Sequence, residues 1–171
     1  WGMDTPESFS NSGLQLFGSD QAQDVIRALK PLHIEKRVEL RVPGVPIPVI
    51  GYIDVITEDG PGDFKTSARA WTADKAEDEM QPVFYLAALN QEGYQLKDLD
   101  FTHYVFVKTK TPQVQVIKSR RYFSEMFWLF GMIADVWRGI EHEVYPPNPT
   151  TWKCNPKYCD FWGMCRGKTL L

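Results

Sequence analysis

The stretch Gly51 to Thr66, GYIDVITEDGPGDFKT, constrains this chain more than any other. Ile50, Tyr52, Ile53, Val55 and Ile56 surround Asp54 with apolar and β-favouring residues, and Glu58 to Gly62 supplies turn chemistry before a second short run, Asp63-Phe64-Lys65-Thr66. The pattern predicts a β-hairpin carrying three charges. Side chains alternate along a strand, so Asp63 and Lys65 share one face and Phe64 takes the other; pairing across the turn can bring Asp54 close to both. Two carboxylates collect a hard cation such as Mg²⁺ or Mn²⁺, and a lysine beside them can steady an attacking water or the anionic transition state of phosphodiester cleavage. The grouping fits a nuclease centre. Asp and Lys on exposed strand faces are also common, so the three charges alone leave a solvated surface as a second reading.

The order of elements narrows the choice. Gly51-Tyr52-Ile53-Asp54 is followed by a Gly-rich turn, by Asp63-Phe64-Lys65, and about one helix later by Gln81-Pro82-Val83-Phe84-Tyr85. On these residues the chain resembles the PD-(D/E)XK nuclease superfamily, in particular its RecB-like exonuclease branch of recombination, CRISPR-associated and phage-encoded enzymes: GxxD, (D/E)xK and QxxxY all occur, in that order. The resemblance covers roughly residues 31 to 166. It implies that Asp54 and Asp63 hold Mg²⁺ or Mn²⁺ with the backbone carbonyl of Phe64 as a further ligand, that Lys65 is the catalytic lysine, and that Gln81 and Tyr85 orient the site or the DNA. It also implies an α/β fold with a restriction-endonuclease-like core, a central mixed sheet flanked by helices, in one domain spanning residues 1–171. The function implied is metal-dependent DNA cleavage, exonucleolytic ahead of endonucleolytic, in recombination, repair or phage DNA processing. DNA, single- or double-stranded, would be the partner, with a helicase or recombination protein as a further one.

At 171 residues and 43% hydrophobic the chain can bury one sizeable core. A net charge of −3 argues against an overall basic coat, although a nuclease can concentrate positive charge at its groove. No apolar run is long enough to cross a membrane and no leader pattern opens the sequence, which predicts a soluble, cytoplasmic protein.

Residues 1–18 have loop composition, and Ser19 or Asp20 can cap a short helix through Lys30 with Val25, Ile26 and Leu29 on one face. Related nucleases often place a further His or Glu ligand in an N-terminal helix. No His precedes His33, which sits at a strand entry and reads as structural; Glu35 and Glu39 are weak candidates for the acid. Either the site uses two carboxylates or the missing piece lies upstream of Trp1. Residues 34–42 alternate as a half-buried strand, which with the two strands of the hairpin makes an antiparallel meander.

Ser67 to Ala73 is a polar loop whose Arg69 and Trp71 could contact phosphate and stack a base, or form a lid over the core. Ala73 to Glu92 reads as one helix with Pro82 in a first turn capped near Asp78, which puts Gln81 and Tyr85 on one face. Residues 101–108 and 114–118 predict a further hairpin. Lys108, Lys110, Lys118, Arg120 and Arg121 near it suit either a solvated face or a DNA-backbone patch, and His103 reads as structural. Residues 122–143 form an amphipathic helix whose Phe127, Phe130, Ile133, Ala134 and Trp137 stripe reads as core.

The tail from Pro146 carries all three cysteines, Cys154, Cys159 and Cys165, as C-x4-C-x5-C. Such clustering in an intracellular chain points to metal or cluster ligation more than to disulfides. The block resembles the C-terminal cysteine region of iron-sulfur RecB-like nucleases, where a fourth, N-terminal cysteine completes a [4Fe-4S] cluster. That cysteine is absent, so a cluster requires one from outside this chain; otherwise the cysteines take another ligand such as a His for zinc, or the block is an aromatic clasp over residues 146–171 with buried thiols. Two rival functions remain: a catalytically idle nucleic-acid-binding module, and an interaction protein built round a zinc clasp.

Overall fold

The computed structural model describes residues 6–96, 98–109 and 111–165. The chain divides into two compact units, Trp1–Ala134 and Asp135–Leu171. The first contains α1 (Pro6–Phe17), α2 (Asp20–Ala28), β1 (Pro31–Leu40), β2 (Val49–Thr57), β3 (Gly60–Ser67), α3 (Ala73–Asp78), α4 (Gln81–Gln91), β4 (Asp100–Val107) and β5 (Gln113–Arg120). A long helix, α5 (Phe123–Glu141), runs on into the second unit, which ends with the short α6 (Trp162–Cys165).

The five strands form one sheet in the order β1-β2-β3-β4-β5. β1, β2 and β3 pair antiparallel, as do β4 and β5, while β3 and β4 run parallel. The sheet is mixed and flanked by helices, as expected. The parallel pair requires a crossover, and α3 and α4 supply it.

Each face of the sheet has its own core. Val38, Leu40, Ile53 and Phe101 pack with Leu86 and Leu89 of α4 and Met126 and Leu129 of α5. Val55, Tyr104, Phe106 and Val114 pack with Leu16 of α1 and Ala22 of α2. Burial of β-branched and aromatic side chains on both faces is why β4 reads as a near-continuous apolar run.

Several sequence expectations are corrected here. Residues 6–17 form α1 and not a loop, because Leu16 has a buried place on the sheet; residues 1–5 lie outside the described ones. Ser19 caps α2 by accepting from the Ala22 N–H, but the helix ends at Ala28, ahead of Pro31. The expected strand over 34–42 runs from Pro31 to Leu40, with Ile34 exposed and Lys36 half-buried against Glu92 at 3.1 Å. The single helix over 73–92 is two, broken at Glu79-Met80: Thr72 caps α3, and Pro82 falls in the first turn of α4, where no side chain caps the end. Tyr94 N–H returns to Leu89 O at 3.0 Å past Gly93 (φ 84), the expected helix stop.

The α5 stripe is also redrawn. Met126 and Leu129 are buried and Phe130, Ile133 and Ala134 pack against them, whereas Phe127 is 73% exposed. In the second unit Trp137 is half-buried, as are Cys154 and Cys159, while Cys165 is exposed, so the tail is not a clasp of buried thiols. No helix among the described residues is long and apolar enough to cross a membrane.

Candidate active site

The β2–β3 hairpin turns through Glu58-Asp59, with Thr57 opposite Gly60, and its ladder runs only as far as Val55 opposite Gly62. One residue further on, in each strand, stand Asp54 and Asp63. The Asp54 carboxylate accepts the Phe64 N–H at 2.7 Å, replacing the lost rung. β3 meanwhile continues along β4, where Asp63 lies opposite His103 and Lys65 opposite Val105. The expected convergence of Asp54, Asp63 and Lys65 therefore occurs where one strand parts from its neighbour.

Asp63 is 3% exposed. The Lys65 ammonium lies 2.6 Å from its Oδ2 as an ion pair, and among the described residues this buried oxygen has no further partner. Burial pushes the Asp63 carboxyl above the usual carboxylate range; the Lys65 ammonium opposes this and the neighbouring Asp54 adds to it. A buried, under-satisfied carboxylate beside a second one is a donor set that a hard cation completes, with the Phe64 carbonyl as a third oxygen. These residues fit a divalent ion.

A chain of hydrogen bonds ties the lysine to the helix behind it. Lys65 Nζ donates to Gln81 Oε1 at 2.7 Å, Gln81 Nε2 to the Tyr85 hydroxyl at 2.8 Å, and that hydroxyl to the Tyr52 carbonyl at 2.5 Å. Burial, opposed by the Gln81 bond and helped by the charges of Asp63, Asp54 and Glu35, holds the Tyr85 phenol above its ordinary range. The spacing of Gln81 and Tyr85 on α4 thus bridges β3 to β2 across the opening. Gly51 makes the approach possible, since a Cβ there would lie 2.5 Å from Phe84 Cε1 and 3.0 Å from Tyr85 Cε1.

Two residues outside the three motifs support this frame. Arg121, taken as part of a basic patch, is buried, and its guanidinium donates to the carbonyls of Ala76 (2.6 Å), Glu79 (3.0 Å) and Glu77 at the end of α3, holding the break from which Gln81 starts α4. His103, fully buried beside Asp63, has no hydrogen-bond partner on either ring nitrogen among the described residues. Burial first, and then the Lys65 charge, lower its pKa to about 4, so it packs as a neutral ring against Phe101 and Trp71.

The remaining candidates sort by position. Glu35, exposed and at φ 51, falls between Ile34 opposite Val55 and Lys36 opposite Ile53, level with Asp54. Glu39 is taken by Arg37 and Arg41, and His33 by the Tyr94 hydroxyl at 3.2 Å. Trp71 is pinned by two hydrogen bonds between its backbone and the Gln115 amide, with the Lys75 ammonium 4.4 Å from its ring, so the lid reading fits it. The basic patch is smaller than expected: Arg120 is paired with Asp98 and Asp100, Lys108 and Lys118 are exposed, and Lys110 lies outside the described residues.

The sequence from residue 12 to residue 166 matches the family model of the PD-(D/E)XK nuclease superfamily. The chain belongs to that superfamily. Its fold is similar to the crystal structure titled "Putative exonuclease" from Eubacterium rectale, with a TM-score of 0.63 and 14% identity; the match covers 98% of this chain and 63% of that one. No curated protein matches the sequence. In this member of the PD-(D/E)XK superfamily the GxxD, (D/E)xK and QxxxY stretches meet at the end of the β2–β3 ladder.

Cys154, Cys159 and Cys165 line one cavity of about 590 Å³ within residues 147–165, together with Trp162 and Tyr158. No group of three or more His, Cys, Asp or Glu side chains placed to hold a metal occurs among the described residues. A [4Fe-4S] cluster takes four thiolates and the chain has three cysteines, so these residues alone do not fit it.

Proposed function

We propose that this nuclease is a Mg²⁺- or Mn²⁺-dependent deoxyribonuclease of the RecB-like branch, which removes nucleotides from DNA ends in recombination, repair or phage DNA processing. The observation that carries the reading is the ammonium of Lys65 held between Asp63 at 2.6 Å and Gln81 at 2.7 Å, just past Gly62, where β2 leaves β3. Asp54, Asp63 and the Phe64 carbonyl would hold the ion. When bound, it acidifies a water and offsets charge on the phosphate.

The rest is done by the chain itself. The Phe64 N–H fixes the Asp54 carboxylate, and burial keeps water from competing for Asp63. Lys65, oriented by Gln81, places positive charge where phosphodiester attack builds negative charge, which is the preorganised stabilisation such chemistry needs. Tyr85 steadies Gln81 and ties it to β2. The intact trio of Asp54, Asp63 and Lys65 argues against an idle DNA-binding module.

The test is degradation of end-labelled linear single- and double-stranded DNA in Mg²⁺, Mn²⁺ or EDTA by the natural protein, Asp54→Asn and Lys65→Ala. Metal-dependent degradation that both variants lose supports the reading, and the product ladder tells end-wise from internal cleavage. If DNA shifts in a binding assay yet stays whole under both metals, the catalytic reading is wrong for this chain.

A further inference from the structure

Phe64 stands between Asp63 and Lys65 but faces away from them, and it is 39% exposed. It is not isolated. Phe17 of α1 and Ile26 of α2, 44% and 40% exposed, surround the same opening, a cavity of about 300 Å³ whose lining is completed by Lys65, Thr66 and the buried Phe106. Phe17 and Phe64 both lean on the Phe106 ring, with centroids 5.0 and 6.1 Å from it, so Phe106 is the floor and the other two rings are the walls. Among the described residues Lys65 is the one charged residue in the lining, and its ammonium sits at the Asp63 carboxylate.

The cavity and the carboxylates lie on opposite faces of β3, which in an ordinary sheet interior would separate them. Here the separation is a single strand with an open flank. β2 stays in register with β3 only as far as Gly62, so from Asp63 onward β3 has no ladder on that side, and at Phe64 the gap is bridged by the Asp54 carboxylate on its N–H. A chain whose phosphate lies at Asp54, Asp63 and Lys65 can therefore send a neighbouring group round the strand edge into the aromatic cleft.

We propose that Phe17, Ile26 and Phe64 form a stacking pocket for one unpaired base of the nucleic-acid strand held at the active site, an inference that rests on the nuclease reading. A flat, uncharged, aromatic group suits an apolar slot of this kind, and the anionic backbone it is attached to suits the Lys65 ammonium on the other face of β3. Stacking on aromatic side chains is also how single strands are gripped without regard to sequence. A paired base cannot enter, so the pocket favours single-stranded DNA or a frayed end over a blunt duplex. Trp71, the residue the sequence offers for stacking, is occupied by Gln115, Lys75 and His103.

The experiment is fluorescence anisotropy with labelled single-stranded oligonucleotides in Ca²⁺, comparing an intact strand with strands carrying one abasic site at successive positions. The proteins are the natural one, Phe17→Ala, Phe17→Trp and Phe64→Ala, each checked for folding by circular dichroism. For the natural protein, affinity should fall about tenfold at one abasic position. Phe17→Ala should bind the intact strand that much more weakly and be indifferent to that position, while Phe17→Trp restores both. Phe17 stands on α1, outside the catalytic set, so its loss is separable from damage around Phe64. If the natural protein binds but Phe17→Ala responds to every abasic site just as it does, the pocket is overturned and the nuclease reading stands. If the natural protein binds no DNA in Ca²⁺ and cuts none in Mg²⁺, both fall.

Discussion

Gln81 holds the Lys65 ammonium at 2.7 Å from the first turn of α4, and it is itself held by Tyr85 one turn further along. The lysine is thus aimed by a helix that the parallel crossover lays behind β3. Gln81→Leu should leave the fold intact and Lys65 held by Asp63 alone. The expected result is a fall in kcat of about 10- to 100-fold with KM little changed, because substrate binding does not depend on that bond. Steady-state cleavage of a labelled strand distinguishes this from lost binding, which would raise KM.

Asp63 gives a stability test with a definite sign. Its carboxyl is held above the usual range, mainly by burial, so the folded protein keeps the proton to higher pH than the unfolded chain. The associated stability is present at acid pH and is lost as pH rises through the folded value. Asp63→Asn removes that loss. In EDTA at pH 7 the variant should melt above the natural protein, and the gap should close below the carboxylate range. Mg²⁺ should raise the Tm of the natural protein only. If the variant melts lower at pH 7 in EDTA, the pair with Lys65 outweighs burial.

His103 carries the opposite sign. With its pKa lowered to about 4 in the folded protein, it costs nothing above the ordinary value of 6.5 and opposes folding as pH falls from there towards 4. The full effect is about 3 kcal/mol for a ring this deeply buried. His103→Phe should therefore resist acid, its urea midpoint changing less between pH 7 and pH 4.5 than that of the natural protein. Equal midpoint changes in the two would show that His103 gains a proton without cost.

Gly51 is required by proximity. A methyl group there would meet the rings of Phe84 and Tyr85, and to admit it α4 would have to retreat from β2. Gly51→Ala should cost about 1–3 kcal/mol in denaturant melts. It should also lower kcat, since Tyr85 would lose its reach to the Tyr52 carbonyl. A stable, fully active Gly51→Ala protein would mean that the Phe84 ring turns aside freely.

The hairpin, the pairing of strands and the trio Asp54, Asp63 and Lys65 were legible because they rest on local signals: a period of two, turn residues between two runs, and charges at fixed spacing. What was hidden depends on which element lies across the sheet. Nothing in the order of residues places His103 beside Asp63, because that contact comes from a parallel pairing with α3 and α4 in between. Arg121 looked like a surface charge because its partners are backbone carbonyls more than forty positions away, and backbone leaves no trace in composition. Residues 6–17 looked like a loop because serine and glycine weaken helix propensity, and the buried Leu16 overrides it. Phe127 misled in reverse, since an aromatic at helical spacing need not face the core.

The two-residue turn at Glu58-Asp59 sets more than the path of the chain. One residue inserted there and passed on to the ladder would slide β3 by a single step against β2, turning Phe64 towards α4 and Asp63 towards α1 and α2. The carboxylate would vanish into grease and an inert ring would stand in its place, with every original residue still present. Relatives that lengthen this turn by an odd number of residues while keeping the chemistry must therefore take up the extra residue in the loop or a bulge and not in the ladder, a constraint that the hairpin imposes on its own evolution.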